Sequence, residues 1–207
     1  MYDHIYSILE GVPTIYKSGI GCATAAPSNL YTVRESCEGN ELLLDNEREE
    51  YHTLTAQCLY ISKRGRPDLQ TSIAFHCTRV RNPTQDDQKK LGRTIRYLED
   101  TRFLPLILSL NKHGIIEWWV DSSFAVHDDM KSRTGLCMSL GKGSVYAAST
   151  KQKLNTNSST ESELVGVSDG MPKMIWTRYF MEAQGYNIED VYVYQDNQSA
   201  MLLKKMV

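Results

Sequence analysis

The stretch IIEWWVDSSF, residues 115–124, is an apolar, β-branched and aromatic run of strand length that closes on a carboxylate, Asp121. Two other stretches bring a carboxylate to the same kind of place. NSSTESELVGV, residues 157–167, opens a helix with Glu161 and Glu163, and VYVYQDNQSA, residues 191–200, is a strand ending at Asp196. With a carboxylate wherever one of these elements starts or stops, all three are expected to converge on one end of a single sheet. Converging carboxylates repel one another unless a divalent cation lies between them, and two Mg²⁺ ions held this way are a recurrent device for cutting or joining phosphodiesters. The first expectation is therefore metal-dependent phosphoryl chemistry.

The 207 residues, 41% of them hydrophobic, suffice for one ordinary domain or two small ones with a proper core. No apolar run approaches the roughly 18 residues of a membrane span. The opening MYDHIYSILEG lacks the basic-then-apolar order of a signal peptide. Cys22, Cys37, Cys58, Cys77 and Cys137 are odd in number, scattered and never spaced CxxC, which suggests neither a disulfide framework nor a zinc site and fits a reducing compartment. Net charge is −2, against a generally basic nucleic-acid binder, yet it is unevenly spread. Residues 1–50 hold three basic and nine acidic side chains, whereas residues 51–100 hold nine basic and five acidic. Lys63, Arg64, Arg66, Arg79, Arg81, Lys89, Lys90, Arg93 and Arg96 could thus form a local basic surface, with a solvated helix face as the plainer alternative.

Residues 1–46 show little periodicity and read as an irregular segment. From Tyr51 the pattern is helical: Tyr51, Leu54, Cys58 and Ile61 recur at steps of three and four, and Gly65 suits a C-terminal cap. Pro67 fits the first turn of a second helix carrying Leu69, Ile73, Cys77 and Val80 on one face. Thr84 can cap a third, with Asp86 and Asp87 at its positive end and Leu91, Ile95 and Leu98 as its stripe. Three such helices make a small bundle over residues 47–102.

Beyond Asp100 the period becomes that of strands. PLILSL, the turn NKHG and IIEWWVDSSF read as one hairpin; GLCMSL, GKG and SVYAAST read as another. A long helix follows, capped by Ser158, Ser159 or Thr160, with Leu164, Val167, Met171 and Met174 along one face and a kink or break expected at Pro172. VYVYQ is a further strand, and QSAMLLKKMV begins another helix. The order is that of an α/β fold over residues 103–207.

Several strings resemble the C-terminal part of a copia-type LTR-retrotransposon polyprotein, the end of its reverse transcriptase joined to its ribonuclease H. They are YHTLTAQCLYISKRGRPDLQTSIAF and NPTQDDQKKLGRTIRYLEDT in the helical part, then WVDSSFAVH, KSRTG, STKQK, SSTESEL and YQDNQSA. The resemblance covers about residues 47–204 and rests on their joint order and spacing. It implies a ribonuclease H-like mixed sheet preceded by a small helical bundle, and hydrolysis of the RNA strand of an RNA–DNA hybrid with two Mg²⁺ ions, Mn²⁺ serving as a substitute. It implies as partners that hybrid and the remainder of the polyprotein, with no membrane. The compartment implied is the cytoplasm, with a virus-like particle or the nucleus as alternatives. By the same resemblance Asp121, Glu163 and Asp196 match the family's catalytic, metal-binding carboxylates.

The residue types fit that chemistry, since hard cations take oxygen ligands and strands and helix starts hold ligands more firmly than loops. Each has a plainer reading beside it. Asp121 can simply close a strand, Asp196 can start the helix at QSAM, and Glu161 suits a helix first turn. Ser122, Asn157, Ser158, Asn197 and Gln198 are candidates for contacts to phosphates or 2′-hydroxyls, although capping and turn formation explain them nearly as well. His127, beside Asp128 and Asp129, reads as a surface histidine. No YxDD string occurs, so polymerase activity is not expected. The resemblance also implies a further strand, helix and fourth carboxylate beyond the DNQSA helix, so the chain reads as a C-terminally incomplete ribonuclease H with impaired cleavage. The competing expectation is a non-catalytic, decayed remnant that at most binds nucleic acid.

Overall fold

The computed structural model describes residues 1–110 and 114–204, the side chains of 202–204 excepted. The chain divides into two compact units, Met1–Pro105 and Leu106–Val207.

The first unit is helical: α1 (Tyr2–Gly11), α2 (Thr14–Lys17), α3 (Asp45–Arg64), the 3₁₀ turn Pro67–Leu69, α4 (Gln70–Arg79) and α5 (Gln85–Asp100). Tyr51, Leu54, Cys58, Ile73, Leu91, Ile95 and Leu98 are buried in one core, as their spacing predicts, and Cys77 packs half-buried against it. Thr84 caps α5: its hydroxyl accepts the Asp87 N–H and the Asp87 carboxylate accepts the Thr84 N–H at 3.0 Å. Residues 2–17 depart from the irregular structure expected over residues 1–46. Ile5, Ile8, Leu9 and Val12 follow helical spacing, and with Tyr16 they bury into the core that α3 and α5 build. That burial gives a short helix the tertiary support it lacks alone.

The second unit contains β1 (Ser109–Leu110), β2 (Ile115–Ser123), β3 (Arg133–Ser139), β4 (Gly141–Lys142), β5 (Tyr146–Lys151), α6 (Ser159–Ala183), β6 (Asp190–Tyr194) and α7 (Gln198–Lys204). Its main sheet has the order β5-β3-β2-β6, with β3 antiparallel to both β2 and β5 and β6 parallel to β2. This is the ribonuclease H-like mixed sheet that the resemblance implies. Ile116, Trp118 and Val120 of β2 face a core shared with Leu136, Met138, Ala148 and Met174, while Trp119 and Asp121 alternate to the exposed face.

Among the described residues, the hairpin expected between PLILSL and IIEWWVDSSF does not form. Ser109 and Leu110 pair instead with Lys142 and Gly141 in a separate two-stranded sheet. The glycine turn after β3 permits this, because a Cβ on Gly143 would lie 2.2 Å from the Ile107 carbonyl oxygen. In the expected NKHG turn, residues 111–113 lie outside the described residues. The second expected hairpin is present as β3–β5.

The long helix also differs from expectation. It runs unbroken through Pro172, which is exposed, as is Ser168, whose carbonyl loses its helical donor to the proline. Its buried face is Ser162, Glu163, Gly166, Gly170, Met174 and Thr177; Leu164, Val167 and Met171 are only half-buried. Small residues replace the expected aliphatic stripe because the helix lies close to the sheet. A Cβ on Gly166 would stand 3.4 Å from Thr134 and 3.5 Å from Val120, and one on Gly170 only 2.9 Å from Leu136.

Candidate metal centre

Parallel pairing of β2 with β6 sets the geometry. The register Trp119↔Tyr194 aligns the two strands, and the rings of these residues stack with centroids 5.1 Å apart. Asp121 and Asp196 each follow two residues later, so both carboxylates emerge at one level at one end of the sheet. Helix α6, capped by the Ser158 hydroxyl on the Glu161 N–H, crosses the buried face and brings Glu163 to the same end in its second turn. One oxygen from each of Asp121, Glu163 and Asp196 lies within 4.8 Å of the others.

Among the described residues, no lysine or arginine forms an ion pair with these carboxylates. Their compensation is by neutral donors. The Ser122 N–H donates to Asp121 Oδ1 at 2.9 Å and to Glu163 Oε1 at 3.2 Å. The Gln195 amide donates to Glu163 Oε2 at 2.8 Å. Glu163 is buried whereas Asp121 and Asp196 are exposed. Burial foremost, and then the charges of Asp121 and Asp196, push the Glu163 carboxyl above its ordinary value despite the opposing hydrogen bonds from Gln195 and Ser122. Three hard oxygen donors with unbalanced charge fit a divalent cation, which would remove the repulsion that raises Glu163.

Glu161 is not part of this cluster; its carboxylate accepts the Asn157 N–H at 2.7 Å and closes the helix start. Of the candidate nucleic-acid contacts, Ser122 adjoins the carboxylates, with its hydroxyl donating to Ser162 Oγ at 3.1 Å. Ser158 caps α6, and Asn197 accepts the Ala200 N–H at 3.0 Å in the first turn of α7. Asn157 and Gln198 are exposed at these two helix starts. His127 is half-buried and not part of the cluster, and its pKa is lowered first by burial and then by Lys151 and Arg133. Gln195 and Gln152 are the site's neighbours that sequence reasoning passed over, although both stand inside quoted strings. Neutral amides carry no mark of their partners until the fold supplies them.

The basic surface expected over residues 51–100 is largely used up inside the helical unit. Arg66 is buried and forks onto Asp68 and Thr101, Arg79 pairs with Asp87, and Lys90 pairs with Asp86. Arg93 and Arg96 donate to backbone oxygens of Thr24 and Ser18. Arg93 and Arg96, with Lys90 donating to the Thr32 carbonyl at 2.6 Å, fasten residues 1–46 to the bundle.

No protein-family model matches the chain. It is 26% identical over 156 residues to the retrovirus-related Pol polyprotein from transposon TNT 1-94 of Nicotiana tabacum, and 29% identical over 161 residues to that from transposon RE2 of Arabidopsis thaliana. The chain is similar to retrovirus-related Pol polyproteins of transposons. The matches take in 75% and 74% of this chain but span only 12% and 11% of those polyproteins. A foamy viral protease-reverse transcriptase in complex with double-stranded DNA shares 11% identity at a TM-score of 0.46, over 91% of this chain and 30% of that one. Among the described residues, no helix is long and apolar enough to cross a membrane.

Proposed function

We propose that the second unit is a ribonuclease H that hydrolyses the RNA strand of RNA–DNA hybrids within a retrotransposon polyprotein, and that the helical unit corresponds to the end of the reverse transcriptase. The observation that supports this most is the meeting of Asp121, Glu163 and Asp196 within 4.8 Å at one sheet end. Asp121, Glu163 and Asp196 would hold Mg²⁺. Bound there, the ions would supply an ionised water for attack on phosphorus and neutralise charge on the leaving 3′-oxygen.

The protein's own part is placement. Strand β2 holds Asp121, the base of α6 holds Glu163, and the Ser122 N–H links both carboxylates. Gln195 fixes the second Glu163 oxygen. Such positioning is much of what a phosphoryl-transfer site contributes. Exposed Asn157 and Gln198 flank the site and supply polar groups for the sugar–phosphate backbone. Nucleic-acid binding through residues 51–100 finds little support, since most of their cations are internally committed.

The test is Mg²⁺-dependent release of fragments from a labelled hybrid, with Asp121→Asn as control. Cleavage by the wild-type chain that disappears in Asp121→Asn supports the proposal. Cleavage that survives Asp121→Asn removes the catalytic assignment.

A further inference from the structure

Gln152 follows β5 and is only 2% exposed. Its amide nitrogen lies 2.8 Å from the Ser162 carbonyl oxygen, 3.0 Å from Thr134 Oγ1 and 3.1 Å from Ser122 Oγ. Two N–H donors thus serve acceptors on β2, β3 and α6. The amide oxygen is buried and, among the described residues, has no partner. An orphaned buried acceptor costs on the order of 1–3 kcal/mol, a cost that an apolar side chain of equal length would avoid. What it would not do is hold Ser122 to Ser162.

Those two serines are the residue after Asp121 and the residue before Glu163. Ser122 is tied twice more, through its hydroxyl to Ser162 Oγ and through its N–H to both carboxylates. The Gln152 backbone is anchored in turn, donating to the Ser132 carbonyl at 2.9 Å. We infer that Gln152 is a positioning residue: its amide clamps the first turns of α6 to the end of β2 and so sets the separation of Asp121 and Glu163. This rests on the proposed metal centre. Groups behind metal ligands commonly change metal affinity or activity by about 10–100-fold when removed.

The experiment measures Mn²⁺ binding to the full chain by loss of the free-ion paramagnetic resonance signal, with steady-state hybrid cleavage beside it. Gln152→Met keeps length and removes both donors. Ser122→Ala removes the hydroxyl that receives one of them, and Ser122→Thr restores a hydroxyl. Gln152→Met and Ser122→Ala are each expected to weaken Mn²⁺ binding about 10–100-fold and to lower kcat with KM unchanged. The double variant should be little worse than either, and Ser122→Thr should bind like wild type. Folded Gln152→Met with wild-type Mn²⁺ affinity overturns the inference. Should Gln152→Met fail to fold, wild-type affinity in Ser122→Ala overturns it equally. A wild-type chain that takes up no Mn²⁺ instead defeats the metal-centre reading itself, and the inference with it.

Discussion

Replacing Glu163 with Gln is expected to raise the stability of the metal-free second unit while abolishing its stabilisation by Mg²⁺. Two unit charges 4.8 Å apart repel by about 0.9 kcal/mol in water and about 3.5 kcal/mol at an effective dielectric of about 20. Asp121 and Asp196 are solvent-exposed, so the lower figure governs, and the two together cost Glu163 about 2 kcal/mol. Loss of the charge-assisted bonds from Gln195 and Ser122 returns about 1 kcal/mol. The net gain of about 1 kcal/mol corresponds to a rise in Tm of about 4–8 °C for a unit of this size. Because the folded carboxyl titrates above its ordinary value, the folded state holds its proton more tightly than the unfolded one. Wild-type stability therefore falls as pH rises through that interval, and Glu163→Gln should lack this fall. Trp118, Trp119 and Trp176 all lie in the second unit, so tryptophan fluorescence follows its melting alone. In EDTA the variant should melt higher than wild type; at Mg²⁺ near 100 times Kd, wild type should gain about 2.7 kcal/mol that the variant does not. A variant that melts lower than wild type in EDTA would refute the reasoning, because Glu163 would then be an ordinary satisfied buried carboxylate.

Gly170→Val should destabilise the same unit by about 1–3 kcal/mol, since even a Cβ there stands 2.9 Å from Leu136 and 3.0 Å from Met174; the tryptophan melt reads it. In the helical unit, buried His76 accepts or donates at 2.7 Å with Tyr51, and burial lowers its pKa to about 3. Its contribution to stability is fully present above the unfolded pKa of about 6.5 and is lost as pH falls toward the folded value, by up to about 1.4 kcal/mol per pH unit. Urea unfolding followed by circular dichroism between pH 7 and pH 4 should show that slope, and His76→Gln should flatten it.

Much of this protein is local and therefore legible from residues alone. Helical spacing at Tyr51, Leu54 and Cys58 and at Leu91, Ile95 and Leu98 marks a buried face, because the turn of a helix repeats at short range. The strand runs, the Thr84 cap and the placement of Asp121 and Asp196 after strands are local in the same way. The helix at residues 2–11 was equally legible in Ile5, Ile8 and Leu9, but its neighbouring glycines and prolines masked it. Other features depend on which elements meet. Gly166 and Gly170 are buried because α6 approaches the sheet closely, which no period within the helix reveals. Arg66, Arg79 and Lys90 look like a basic surface until their acidic and carbonyl partners are in place. The carboxylates come within 4.8 Å only because β6 runs parallel to β2 in the register Trp119↔Tyr194; antiparallel pairing would carry Asp196 to the far end of the sheet. Gln152 gains its place between Ser122 and Ser162 by that same packing, since a neutral amide has no preferred partner until distant chain segments supply its acceptors.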